Sequence, residues 1–215
     1  MPQVKKREMR QAILDGSYLL FRKQGYYQTT LRQIAREAGT SLANVYVYFA
    51  SKYEIVFEIY DPWMTAKITQ LEREAARIKH PDDRLRHILF TLWGDIPSAN
   101  NGFARNIMQA LSMARGAKQY NPQMIKWMED KLTALVVSCL PAQRRKLAGD
   151  GSIAHVLMMA FDGFVINYDL NPSAACSQLI VDAIGTALLG RKLRAPRRGR
   201  QRLARRAARS KALAA

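Results

Sequence analysis

A group of small and hydrogen-bonding side chains near the amino end has the types and spacing of a helix face that can contact nucleic-acid bases. At about 100° per residue, one face of a helix over 40–49 collects them. Its members are Thr40, Ala43, Asn44 and Val47, with Ser41 and Tyr48 at its edges. An asparagine amide can pair with adenine through two hydrogen bonds, and a valine or alanine can touch a thymine methyl. The opposite face is apolar (Leu42, Val45, Phe49), which predicts packing against a core.

Two predicted helices precede this segment and complete a helix-turn-helix. The first covers about 5–24 and ends at Gly25, a residue type favoured just past a helix end. The second follows the pair Thr29-Thr30, whose hydroxyls suit a helix N-cap, and it ends at Gly39. Two short helices joined by a tight turn normally place the second one in the major groove of DNA.

The same segment resembles a known family. TTLRQIAREAGTS at 29–41, VYVYF at 45–49 and the pair Ser51-Lys52 resemble the amino-terminal motif of the TetR family of transcriptional repressors. The resemblance implies an all-α fold with a three-helix DNA-binding domain and a larger helical domain for ligand binding and dimerisation. It also implies a non-enzymatic regulator that binds a palindromic operator in double-stranded DNA as a homodimer. A small-molecule effector would release it.

The resemblance also implies roles for individual residues. Thr30 and Lys52 would contact phosphates, and the hydroxyls of Tyr46 and Tyr48 would contact the operator backbone. The full set of expected DNA contacts is Thr30, Gln33, Thr40, Ser41, Ala43, Asn44, Tyr46, Val47, Tyr48 and Lys52. The chain departs from the family pattern at three places, where Leu42, Ala43 and Val47 stand for the frequent Lys, Gly and His. For the two tyrosines, core packing is the alternative.

The charge is concentrated at the two ends of the chain. The 215 residues contain 34 Lys and Arg against 17 Asp and Glu, a net charge of +17. The excess is +6 in 1–52 and +11 in 191–215, and the residues between are balanced. Basic ends favour a polyanion partner, although a charge run can also serve solubility alone. The alternative function is therefore a non-specific architectural nucleic-acid-binding protein driven by the basic tail.

Helical periodicity continues along the chain, which predicts about nine helices. A fourth helix starts near Ser51 and runs to about Ile78, with a kink or break at Pro62. Later helices are predicted over about 81–96, 101–117, 122–140, 152–170 and 173–193, with a short turn within 142–148. The predicted domains are 1–52 for DNA binding, 53–193 for ligand binding and dimerisation, and 194–215 as a basic, disordered tail.

The last two predicted helices carry long apolar stripes. One stripe is Ile153, Val156, Leu157, Ala160, Gly163 and Ile166; the other is Cys176, Leu179, Ile180, Ala183, Ile184, Ala187 and Leu188. Each helix is too apolar for a lone surface helix, so we expect a homodimer that buries both stripes. Burial within one subunit is the alternative.

Aromatic and methionine residues are frequent between 53 and 140. The expected ligand-binding residues are Trp63, Phe90, Trp93, Phe103, Met108, Met113 and Trp127. Methionine and aromatic side chains suit an adaptable apolar cavity, and in the resembled family this region encloses the effector. The expected effector is apolar or aromatic, and ordinary core packing is the alternative for each residue.

Other chemistry is not indicated by the sequence. No G-x-S-x-G, H-E-x-x-H or P-loop spacing occurs, and no cofactor or metal is expected. His80, Asp82, Asp83 and His87 could hold a metal, but Pro81-Asp82-Asp83 also suits an ordinary helix start. His155 is expected to be a core histidine, and Cys139 and Cys176 to be inert thiols. No apolar run reaches the roughly 18 residues of a membrane span, and a cytoplasmic location is expected.

Overall fold

Ten α-helices account for most of the described part of the chain, which comprises residues 3–99, 101–114, 122–171 and 176–195 of a computed structural model. They are α1 (Gln3–Gln28), α2 (Leu31–Glu37), α3 (Leu42–Tyr48), α4 (Lys52–Ala76), α5 (Pro81–Phe90), α6 (Phe103–Met113), α7 (Pro122–Val137), α8 (Ala142–Ala148), α9 (Ser152–Leu170) and α10 (Gln178–Leu189). A π-helical turn, Thr91–Asp95, continues α5. The all-α fold is confirmed, and the described residues contain no strand.

Local capping chemistry sets the boundaries at the amino end. Gly25 adopts φ 81° and ψ 165°, which interrupts the helical backbone near the end of α1 where the sequence predicts a stop. Thr30, Ser41 and Ser51 cap α2, α3 and α4, and each side-chain oxygen accepts a backbone N–H three residues on. The predicted helix-turn-helix is therefore present, with a turn at Gly39 (φ 64°).

The predicted helix limits differ from the structure at several places. Helix α4 continues through Pro62, so of the predicted kink or break the break does not occur. The segment 142–148 forms a full short helix, which accounts for the tenth helix. Helix α10 ends at Leu189 and not at 193, because Gly190 adopts a left-handed φ of 69° as its C-cap. The predicted helical residues 115–117 and 173–175, and the tail from residue 196, lie outside the described part.

Helix α4 connects the two halves of the molecule. Its 25 residues extend about 37 Å, at about 1.5 Å per residue. It packs against α1, α5, α6 and α7, and its fully buried side chains include Ile55, Tyr60 and Ile68. The contacts with α1 lie on the DNA-binding side, and those with α5 to α7 lie in the larger helical part. One rigid element therefore spans both predicted domains.

The segment after α10 is fixed to the start of α5 by a buried carboxylate. Asp82 accepts two hydrogen bonds from the Arg191 guanidinium, at 2.6 and 2.8 Å, and one from the backbone N–H of Arg194, at 2.7 Å. Arg86 pairs with Asp182 of α10 at 2.8 Å. The hydrogen bonds from Arg191 and Arg194 outweigh desolvation and lower the pKa of Asp82 to about 2.

Replacing Asp82 with asparagine is expected to destabilise the protein near neutral pH. The ionised Asp82 stabilises the fold above its unfolded pKa near 3.8, and this contribution is lost as the pH falls toward 2. We expect the free energy of unfolding to fall by on the order of 2 kcal/mol at pH 7 and by less at pH 3. The figure is no larger because Arg191 is half-exposed, so that solvent screens the pair. Thermal unfolding of Asp82→Asn at both pH values measures the loss. The exposed Asp130→Asn is the control, and an equal loss at both pH values would contradict the assignment.

Candidate nucleic-acid interface

Helix α3 is anchored by one face and exposes the other. Val45 and Phe49 are fully buried, and they fix α3 against the core of the amino-terminal half. On the outer side, Ala43 is exposed, and the exposed fractions of Tyr46 and Val47 are 54% and 73%. The two-faced helix predicted from spacing is confirmed. Its outer face has the small, partly apolar surface that fits against base edges in a major groove.

Two polar side chains of this face, Asn44 and Thr40, are joined by a hydrogen bond in the absence of DNA. The Asn44 amide donates to the Thr40 hydroxyl at 2.7 Å, and the Asn44 backbone N–H donates to the Ser41 hydroxyl at 3.1 Å. An amide has two N–H donors and a carbonyl oxygen. The contact with Thr40 uses one donor, so the amide retains the donor and acceptor that a two-bond contact with adenine requires. Thr40 therefore orients Asn44.

The start of α2 is organised by a capping box. The backbone N–H of Gln33 donates to the Thr30 hydroxyl at 3.2 Å, and the side-chain oxygen of Gln33 accepts from the Thr30 backbone N–H at 2.8 Å. This structural task occupies the carbonyl end of the Gln33 side chain, which the sequence assigned to base contact. Thr30 is exposed at the helix start and stays a predicted phosphate contact.

Lys52 has an internal role that the sequence did not indicate. Its ammonium donates to the backbone oxygens of Tyr26 at 2.7 Å and Thr29 at 2.6 Å, and it lies 4.1 Å from the Tyr26 ring centre. Burial lowers the pKa of Lys52. Two of its three donors thus join the end of α1 to the start of α4, and the third remains for the predicted phosphate contact. Tyr48 is half-buried and packs on the core, whereas Tyr46 faces solvent.

Three side chains of α6 hold the end of α1. Asn106, fully buried, accepts from the Tyr26 backbone N–H at 2.7 Å and donates to the Tyr60 hydroxyl at 2.9 Å. Gln109 accepts from the Tyr27 backbone N–H at 2.9 Å, and Arg105 donates to the Arg22 carbonyl oxygen at 3.2 Å. The larger helical part therefore has a direct polar contact with the helix-turn-helix. A lone asparagine on the buried face of an amphipathic helix was the available sequence signal.

The seven residues predicted to bind ligand do not form one group. Trp63 and Phe103 are in contact, with ring centres 4.7 Å apart, whereas Trp93 stacks on Phe164 at 5.2 Å. The Trp93 indole N–H donates to the Leu157 carbonyl oxygen at 3.1 Å. Phe90, Met108 and Trp127 are partly buried against the core, and Met113 is 45% exposed. Their assignment to an effector site stays a prediction.

The other residues considered for chemistry have structural partners. Asp82 belongs to the contact with Arg191, and His87 lies 2.9 Å from a Glu74 oxygen. No group of three potential metal ligands occurs within the described ranges. The prediction of a core position for His155 is wrong, because it is exposed and pairs with Glu129 at 2.6 Å.

The two cysteines do not have the character of reactive thiols. Burial raises the pKa of Cys139 and raises that of Cys176 to about 11, which disfavours reactive thiolates.

Across the described segments, every helix is too short or too polar to span a membrane.

Comparisons with known proteins agree with this architecture. A family model described as bacterial regulatory proteins of the tetR family matches residues 13–59. The transcriptional regulator HbdR of Aromatoleum sp. (strain CIB) is 36% identical over 83 residues, which cover 39% of this chain and 36% of that regulator. The nicotine-responsive repressor HdnoR of Paenarthrobacter nicotinovorans is 25% identical over 195 residues, which cover 86% of this chain and 95% of HdnoR.

A solved structure shares the whole fold. FadR from Bacillus subtilis in complex with stearoyl-CoA superposes with a TM-score of 0.54 at 16% identity, over 84% of this chain and 95% of FadR. The segment that the family model matches, residues 13–59, contains α2, α3 and the start of α4. The sequence motif and the exposed face of α3 both lie within it. Residues 13–59 therefore form a helix-turn-helix segment of the tetR type, and the chain as a whole shares the fold of FadR.

Proposed function

We propose that this chain is a ligand-responsive repressor that binds a palindromic operator as a homodimer. The observation that carries the proposal is the two-faced recognition helix α3. Val45 and Phe49 hold it rigidly, while Ala43, Asn44 and Val47 form an outer face of suitable size and chemistry. In this proposal residues 1–52 contact DNA and 53–193 bind effector and partner subunit.

An unpartnered apolar surface on α9 and α10 supports the homodimer. Its exposed side chains, with their exposed fractions, are Val156 (62%), Met159 (52%), Ile166 (50%), Leu170 (78%), Leu179 (82%) and Ile180 (40%). Gly163 lies on the same face of α9, and a Cβ there would meet nothing within 4 Å. A concentration of exposed apolar side chains on one helix face is typical of a protein interface. A two-fold dimer would bury it and present two copies of α3 for successive major grooves, about 34–36 Å apart.

Replacing Met159 with glutamate is expected to convert the dimer to monomer. The two-fold axis would bring the new carboxylates close together in an apolar interface, where an unpaired charge is strongly unfavourable. Sedimentation velocity at micromolar concentration measures the oligomeric state. Leu19→Glu is a matched control, because Leu19 is 58% exposed on α1. A Met159→Glu protein that stays dimeric, or a wild type that is monomeric, would contradict the assignment of this surface.

The contact between α6 and α1 supports the effector response. Asn106 and Gln109 hold backbone N–H groups at the end of α1, so a shift of α6 on ligand binding would move the helix-turn-helix. The relatives named above include a nicotine-responsive repressor and a regulator crystallised with stearoyl-CoA. We propose an apolar or aromatic effector bound near Trp63, Phe103 and the partly buried aromatic residues around them.

Selection of bound sequences from random duplex DNA tests the proposed function. We expect enrichment of one palindrome by the full chain. Replacing Asn44 with alanine should remove the base preference, whereas removing residues 196–215 should weaken binding to all sequences alike and lower its salt dependence. Loss of specific binding on tail removal, with Asn44→Ala unaffected, would instead favour a non-specific architectural protein.

A further inference from the structure

An open groove of about 540 Å³ lies between α1 and α4 and shares Trp63 with the effector site proposed above. It is lined by Arg10, Gln11, Leu14, Asp15 and Tyr18 of α1, by Glu58, Ile59, Tyr60, Pro62 and Trp63 of α4, and by Asn101. Tyr18 and Tyr60 meet edge to face, with ring centres 6.3 Å apart, and Trp63 contacts the Phe103 ring at an interplanar angle of 40°. The groove therefore has aromatic walls that neighbouring rings hold in place.

The polar groups of the groove favour a positively charged, hydrogen-donating ligand. Asp15 and Glu58 each contribute a carboxylate, and Arg10 is the single cation among the lining residues. Pro62 has no N–H, so it cannot donate to the carbonyl oxygen of Glu58, its helical partner one turn earlier. That carbonyl oxygen therefore lacks its usual donor within the helix. A locally acidic, aromatic groove is notable in a chain with a net charge of +17.

We propose that this groove binds a small organic monocation with an aromatic or apolar body. The ammonium group would lie against the carboxylates of Glu58 and Asp15, and the body between Tyr18 and Trp63. Carboxylates pair with the charge, and aromatic faces attract a cation and bury its apolar part.

Arg10 connects this groove to the recognition helix. Its guanidinium pairs with Glu58, a second lining residue, and lies 4.9 Å from the ring centre of Phe49, the C-cap residue of α3. A bound cation would compete with Arg10 for Glu58, so binding would release the side chain that joins α4 to α3. The consequence for DNA affinity rests on the proposed function, whereas binding of the cation rests on the groove alone.

Calorimetric titration of the full chain with 2-phenylethylamine, and with its uncharged analogue 2-phenylethanol, tests the proposal without DNA. We expect one amine per chain, bound on the order of tenfold more tightly than the alcohol. Asp15→Asn should weaken amine binding about fivefold, since Asp15 is exposed and its other partner is Gln11. Arg10→Gln should tighten it about threefold, because the competitor for Glu58 is gone. Asp130→Asn, which removes a distant exposed carboxylate, should leave it unchanged.

Three results would overturn the proposal. One is no saturable amine binding, another is equal affinity for amine and alcohol, and the third is an Arg10→Gln protein that binds the amine no better than wild type. A purely structural role of Arg10 would give that third result. Failure here would leave the selected operator intact, so it is distinguishable from failure of the repressor proposal.

Discussion

Ala43→Glu is expected to lower affinity for the selected operator by at least about a hundredfold. Ala43 is exposed on the outer face of α3, one turn before Val47, where the proposed docking brings the helix close to base edges. A glutamate would hold the helix out of the groove and place a carboxylate near phosphates. Each subunit would lose contacts worth about 1–3 kcal/mol per base pair. Fluorescence anisotropy at fixed salt measures the affinity.

The control for this substitution is Ala66→Glu, which adds the same charge to an exposed position of α4. It should keep wild-type affinity, and both variants should keep their unfolding free energy within about 0.5 kcal/mol. Operator affinity of Ala43→Glu within threefold of Ala66→Glu would show that the outer face of α3 does not contact DNA.

Asn106→Leu is expected to lower the free energy of unfolding by about 3 kcal/mol. Asn106 is fully buried, and its loss leaves the Tyr26 backbone N–H and the Tyr60 hydroxyl without this partner. Burial raises the pKa of Tyr60 to about 12, so its phenol stays neutral and cannot compensate by ionising. An unsatisfied buried polar group costs about 1–3 kcal/mol, and the Tyr26 N–H becomes one. The Tyr60 hydroxyl loses the donor that it accepts from but keeps its own donation to the Asn101 carbonyl oxygen at 3.1 Å. Urea denaturation followed by circular dichroism measures the change.

Gln109→Leu provides the comparison for Asn106→Leu. Gln109 caps the adjacent Tyr27 N–H, but that contact is exposed, so water can replace it and a loss of about 1 kcal/mol is expected. If both variants lost the same stability, the buried network around Asn106 would not be the main link between α6 and α1. If Asn106→Leu also kept a full effector response, α6 would not transmit it.

Local features were the ones that the sequence predicted well. The cap at Thr30, the start of α4 near Ser51 and the stop at Gly25 depend on residues a few positions apart. The two faces of α3 follow from the helical repeat alone. These features were confirmed because neighbouring residues determine them.

Contacts between distant segments were missed for the same physical reason. Asp82 meets Arg191 across 109 positions, and Asn106 meets Tyr26 across 80, so no local pattern reveals either pair. Lys52 was assigned to phosphate from a motif, and its bonds to the end of α1 became visible only when α1 and α4 were packed together.

The spacing of two half-sites tests most directly whether two α3 helices enter successive major grooves. The affinity of the full chain would be measured for the selected palindrome and for the same half-sites separated by five further base pairs, which turns one site to the opposite side of the duplex. The proposed dimer predicts a loss of at least about fiftyfold, since only one recognition helix can then bind its site. Equal affinity for the two duplexes would contradict it.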